Sequence, residues 1–273
     1  MKFFRFLCLL FLLFAACFAA SGGYALSLFD GLGLQSAKPV SDLVTATYEK
    51  TLPAAQTLTE VSVKDRVLRF VFLKQAVEKA LPRKEYTSLY NITPAMQQAM
   101  ISIEDNRFYS HWGFDFPGIL RATLVNLQYG RIEEGASTIT QQLIKNLFLS
   151  HEQSFGRKAD ELLLALDMEA RYSKDDILEL YLNSIYFGSD FYGITEASRG
   201  YFGKRPAELT LAEGALLAGL PNAPSLYSPY VDYHLAKKRQ SLVLDAMSRN
   251  GFISAATAEK AKNEELSFMR PVK

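Results

Sequence analysis

Beyond residue 17 the chain has no cysteine; Cys8 and Cys17 are its only two. Neither a thiolate zinc site nor a thiol nucleophile is therefore available in the rest of the sequence. If the segment holding the pair is helical, nine residues of rise set the two roughly 13 Å apart, too far for a disulfide. An excess of one charge is also lacking. The 30 Lys+Arg nearly balance 29 Asp+Glu, for a net charge of +1. That argues against a nucleic-acid binder, which carries a strong basic excess. An anionic ligand must be met by a local cluster and not by the global field. Strand-like alternation is nearly absent, so the domain reads as mainly α. There is no internal repeat and no low-complexity tract.

A long apolar segment, in contrast, is present. Lys2 and Arg5 precede Phe6 to Ala20, and apolar character continues weakly to Phe29. Residues 1–29 read as a transmembrane anchor, because about 20 apolar residues span a bilayer. The competing reading is a signal peptide, with Ala15-Ala16-Cys17 or Ala19-Ala20-Ser21 as its exit. Both place the remaining chain outside the cytoplasm, since basic residues stay inside. Residues 30–89 read as a linker, Gly31 to Pro39, and a helical stalk from Ser41 to Leu81. Val63, Val67, Phe70, Val77 and Leu81 recur there at helical spacing, and Pro82 ends the run.

Helix signals are dense in the domain expected over residues 90–250. Thr93-Pro94 is a cap with proline at the first helical position. Asp115 caps a helix expected to run to about Leu127 and stop near Gly130. Thr138 and Thr210 each have a glutamine or glutamate three positions on, the capping-box spacing, and Ser173-Lys-Asp-Asp176 starts another helix. Ser154 starts another helix. Asp232 and Ser254 open the last two, the second within a C-terminal helix and tail over 251–273.

Three fragments carry side chains suited to chemistry. In Glu104-Asp-Asn-Arg107-Phe108, Glu104 sits where an apolar helix face ends, and such a carboxylate gains proton affinity. In Gly135-Ala-Ser137-Thr138-Ile-Thr-Gln141-Gln142, small and hydroxylated residues before a helix permit close approach to an anion, and the glutamines suit sugar hydroxyls. Lys145 lies one turn on. In Arg157-Lys158-Ala-Asp-Glu161, Lys158 and Glu161 share a helix face. Alone, each has an ordinary explanation: a surface Glu paired with Arg107, an N-cap, a solvated ion pair.

Together, in this order, they resemble the five motifs of the family 51 glycosyltransferases, the peptidoglycan glycosyltransferases. Glu104 to Gly113, with His111, is similar to the first. Gly135 to Gln142 resembles the second and Arg157 to Glu161 the third. Lys174-Asp-Asp-Ile-Leu-Glu-Leu-Tyr-Leu-Asn183 and Ala215-Leu-Leu-Ala-Gly-Leu-Pro-Asn-Ala-Pro224 resemble the fourth and fifth, and Tyr201-Phe-Gly-Lys204 also fits. The resemblance covers roughly Tyr90 to Arg249. With no transpeptidase region in the sequence, it is to the monofunctional branch.

The resemblance implies a lysozyme-like helical lobe beside a smaller membrane-associated lobe, to which Phe116 to Tyr129 is suited. It implies lipid II as substrate, with polymerisation by inversion and release of undecaprenyl diphosphate. Glu104 would be the general base on the acceptor 4-hydroxyl and Glu161 a second essential acid. Lys145, Arg157 and Lys158 would stabilise the diphosphate. Arg107, Phe108, Ser137, Thr138, Gln141, Gln142 and Asn183 would complete the substrate site. Family members are often helped by a divalent cation such as Mg2+, for which this sequence shows no ligand spacing of its own. Lipid II, the growing glycan, membrane lipids and other cell-wall synthesis proteins would be the partners. A lytic enzyme of similar fold, or a non-catalytic cell-wall-binding module, is the rival reading. The cation cluster argues against the first, and the presence of both Glu104 and Glu161 against the second.

Overall fold

Capping side chains place the helix starts, and burial of their apolar faces holds the helices together. The computed structural model describes residues 72–81, 85–129, 135, 137–149 and 155–271. The expected anchor, the Gly31–Pro39 linker and the helical stretch before residue 72 lie outside these residues. So do Pro82, Gly130 and Ser154. Among the described residues no helix is long and apolar enough to cross a membrane.

α1 (Leu73–Ala80) belongs to the core, because Leu73 and Val77 are fully buried there. The stalk expected before residue 90 is thus, from Leu73 on, part of the packed domain. A strap then runs to α2 (Pro94–Glu104), whose Thr93 side chain accepts the N–H of Met96. Proline at the first helical position costs nothing, because that N–H has no intrahelical partner. α3 (Phe116–Tyr129) follows Asp115, whose carbonyl accepts the N–H of Ile119. α4 (Ile139–Phe148) opens on a complete Thr138–Gln141 capping box. α5 (Phe155–Arg171) and α6 (Lys174–Ser184) follow, the latter capped by Ser173 and Asp176.

α7 (Gly193–Phe202) ends on the left-handed Gly203. α8 (Leu211–Gly219) is capped by Thr210 and Glu213 and is buried along most of its length. The short α9 (Pro224–Tyr227) leads to α10 (Tyr233–Arg249), capped by Asp232. α11 (Ala255–Lys262), capped by Ser254, completes the order and buries Ala258 and Ala261. Mainly helical architecture is as expected. The described residues hold no sheet, only an isolated antiparallel bridge between Tyr186 and Tyr192.

Two groups of helices matter for the site. α8 packs against α2 and α10, while α4 packs against α6 and α5. The core runs through both, with Met96, Met100, Ile144, Tyr181, Leu217 and Met247 at or near zero exposure. At about 25 cal/mol per Å², each such side chain contributes roughly 1.5–3 kcal/mol on burial.

Candidate active site

Glu104 is the last residue of α2, and Asp105 accepts the job of ending that helix, with its N–H on the Ile101 carbonyl. Asp105 is buried. Its Oδ2 accepts the N–H of Ile139 at 3.0 Å, at the start of α4. His111 Nε2 lies 2.9 Å from both carboxylate oxygens and donates to them. The segment between turns through Gly113, at φ +75°, where a Cβ would sit 3.0 Å from the Ala165 carbonyl oxygen. The Gly113 carbonyl in turn accepts the Thr138 hydroxyl at 2.7 Å. The first two motifs are therefore one folded unit.

That unit forms a wall of a cleft of about 610 Å³. Glu104, Asp115, Ser137, Thr138, Gln142 and Lys145 line it, together with Arg121 from α3, Arg239 and Arg249 from α10 and Asn250 just after it. Gln142 Nε2 donates to Glu104 Oε2 at 2.8 Å. Glu104 Oε1 is buried and has no hydrogen-bond partner among the described residues. Burial raises the Glu104 pKa above its ordinary 4.5, opposed by the Gln142 hydrogen bond and the charges of Arg239 and Lys145, and assisted by Asp105. Desolvation dominates here, as it does for carboxyls against apolar surface. A second cavity of about 390 Å³ shares Gln142, Lys145 and Pro221 with the first. Tyr186 and Tyr192 line it with ring centroids 4.7 Å apart.

The other residues expected at the site separate into two groups. Ser137 and Lys145 line the cleft. Thr138 does too, but its hydroxyl is used in the cap and on Gly113. Arg107 pairs with Asp115 at the cleft wall, its Nε donating to Oδ2 at 3.0 Å.

Phe108, Gln141 and Asn183 serve the scaffold. Phe108 is fully buried beneath Lys174, whose Nζ is 4.5 Å from the ring centroid. Gln141 Oε1 accepts the Thr138 N–H in the capping box. Asn183 donates to the Thr87 and Glu179 carbonyls and accepts the Thr87 N–H, each at 2.8 Å.

Lys158 and Glu161 pair on α5, as their spacing suggested, with the Glu161 carboxylate buried. Neither is among the described residues lining the cleft. The Arg157 side chain lies outside the description. The cations gathered with Lys145 are instead Arg121, Arg239 and Arg249, which sequence reasoning did not single out. Among the described residues no group of three or more His, Cys, Asp or Glu side chains is placed to hold a metal ion.

A buried carboxylate facing a cation-lined cleft in a helical domain suits group transfer from an anionic leaving group. Residues 73–248 match the family model described as Transglycosylase, and the chain belongs to that family. That family is the family 51 glycosyltransferases. Over 188 residues it is 47% identical to penicillin-binding protein 1A of Neisseria flavescens, covering 69% of this chain and 24% of that protein. Penicillin-binding protein 1F of Bacillus subtilis is 44% identical over 185 residues, 68% of this chain and 26% of the relative. The chain thus spans about a quarter of the relatives it matches. The solved penicillin-binding protein 1A of Haemophilus influenzae aligns at TM-score 0.40 and 23% identity, over 68% of this chain and 18% of that one.

Proposed function

We propose that this chain polymerises lipid II into the glycan strands of peptidoglycan, releasing undecaprenyl diphosphate. The observation that carries the reading is the Glu104 carboxylate: buried, raised in proton affinity, and set beside Lys145 and Arg239. As general base its carboxylate takes the proton of the acceptor 4-hydroxyl, and the hydroxyl oxygen attacks the donor's anomeric carbon with inversion. The bond to the diphosphate oxygen breaks, and negative charge grows there. Lys145, with Arg239, Arg249 and Arg121 around the same cleft, stabilises that charge. Arg107 holds Asp115 in the wall, and Ser137 offers a hydroxyl to the substrate. Lys158 and Glu161 form an ion pair with each other on α5. No step here passes through a divalent cation; Mg2+ assistance is tested by chelation.

The lipid end of the substrate requires a membrane nearby. α3 exposes Phe116, Leu120, Leu124 and Leu127 at 66%, 53%, 60% and 74%, and these recur along one stripe of the helix. An apolar stripe in water marks a binding surface. The proposed location is the outer face of the cytoplasmic membrane, with residues 1–29 as anchor.

The test is incubation of the full-length purified protein with labelled lipid II in detergent. Polymer at the expense of lipid II is the expected product. Fragmentation of added glycan with no polymer would mean a lytic enzyme, in which Glu104 serves as general acid. No change in either substrate would mean a binding module.

A further inference from the structure

The side-chain amide of Gln142 is occupied at both ends within the protein. Nε2 donates to Glu104 Oε2 at 2.8 Å, and Oε1 accepts the Tyr181 hydroxyl at 3.0 Å. An amide oxygen only accepts, so the phenol is the donor. Tyr181 is fully buried on α6. Its burial, followed by the Glu104 and Asp105 charges, pushes its pKa well above the usual 10.0, so the phenol keeps its proton. A glutamine amide has two faces of similar shape. Flipped, Gln142 would turn its oxygen on the Glu104 carboxylate. An ionised carboxylate only accepts, so it already favours the donating face, and the Tyr181 hydroxyl, by donating to Gln142 Oε1, reinforces that face.

We propose that Tyr181 is a positioning residue for the transfer reaction: through Gln142 it holds Glu104 Oε2 in a hydrogen bond and so sets the orientation and the proton affinity of the carboxylate. The proposal rests on the reading of Glu104 as the base. A tyrosine buried only to fill the core would leave the ionisation of Glu104 untouched, and that separates the two roles. The other charged groups facing Glu104 are Lys145 on α4, Arg239 on α10 and Asp105 beside it in the chain. Arg121, Arg249 and Asp115 line the same cleft. None of these is altered by removing the phenol oxygen. Without that oxygen, Gln142 is held at one end only, and the charge-assisted hydrogen bond that it gives the ionised form of Glu104 weakens. Its proton affinity then rises, so the limb on which rate increases with pH moves upward.

The experiment measures initial polymerisation rate against pH for the full-length protein and for Tyr181→Phe. The limb should move up by about one pH unit, a tenfold change in proton affinity. kcat near neutrality should fall while KM for lipid II stays within about twofold, because the loss falls on the transition state. Gln142→Met should move the limb in the same direction. Adding Tyr181→Phe to Gln142→Met should move it no further, since the path between them is gone. A wild-type limb in Tyr181→Phe, or additive shifts in the double variant, overturns the proposal. If Tyr181→Phe does not fold, an unmoved limb in Gln142→Met overturns it alone. The Glu104 carboxyl is also followed by 13C chemical shift without substrate. A protein that makes no polymer sinks the proposed function, whereas an unshifted carboxyl titration in the variants sinks the Tyr181 proposal itself.

Discussion

The Asp105 carboxylate accepts the N–H of Ile139 at 3.0 Å, joining the end of α2 to the start of α4 across 34 residues of chain. Glu104 precedes one partner and Gln142 follows the other by one turn, so this bond sets the distance at which those two side chains meet. Asp105→Ala leaves the Ile139 N–H and His111 Nε2 without their acceptor in a buried place. Breaking such a buried arrangement costs about 3 kcal/mol. Denaturant unfolding should register that loss, and polymerisation should fall because Glu104 and Gln142 lose their register.

Glu104→Gln keeps the shape and removes the proposed base. The expected fall in polymerisation rate is about 10²–10⁴-fold, with lipid II binding retained. Because burial raises the Glu104 pKa above 4.5, the wild-type rate should rise with pH through an ionisation above that value. The residual rate of the variant should lack the limb.

The same shift makes a stability prediction of opposite sense. Between the ordinary and the raised pKa, the folded state binds more protons than the unfolded state, so stability falls as pH rises across that window and stays lower above it. Glu104→Gln should therefore melt at a higher temperature than wild type at neutral pH, and the difference should shrink in acid below both pKa values. Calorimetric scans at pH 4 and pH 7, round values either side of the ordinary pKa, check it. Equal melting temperatures at both would contradict it.

Local chemistry was legible in the sequence where a single turn decides it. Thr93, Thr138, Ser173, Thr210, Asp232 and Ser254 all cap helices in the structure, because each cap depends only on residues within three positions. The site was legible in part. Glu104, Lys145 and Gln142 do share a cleft. Motif membership did not distinguish residues that face the cleft from those beneath it, so Phe108, Gln141 and Asn183 were expected at the substrate and lie in the scaffold. Arg239 and Arg249 are more than 130 residues from Glu104 and reach the cleft because α8 packs between α2 and α10. No local spacing carries that information.

The cation groups should separate by what they lose. Lys145→Ala takes a charge from the cleft and should slow polymerisation at least about tenfold at unchanged melting temperature. Lys158→Ala removes a partner of the buried Glu161 carboxylate while its own ammonium is half exposed. Its main effect should be a stability loss of up to about 1 kcal/mol. Paired rate and melting measurements decide, and the reverse pattern would put Lys158 at the diphosphate.

Gly193 opens α7 at φ +76°, with room for no side chain: a Cβ would lie 2.7 Å from the Asn183 carbonyl oxygen. Gly193→Ala should cost roughly 1–3 kcal/mol in unfolding experiments.

The grip of Asn183 on both backbone groups of Thr87 has a mechanical side. Glu179 reinforces it, accepting the Tyr86 hydroxyl and the Leu89 N–H. A pull on the N-terminal side of this strap is carried first by α6, and Tyr181 stands two residues from the anchoring asparagine on that helix. Load that reaches this strap past α1 is thus delivered to the helix turn that carries Tyr181.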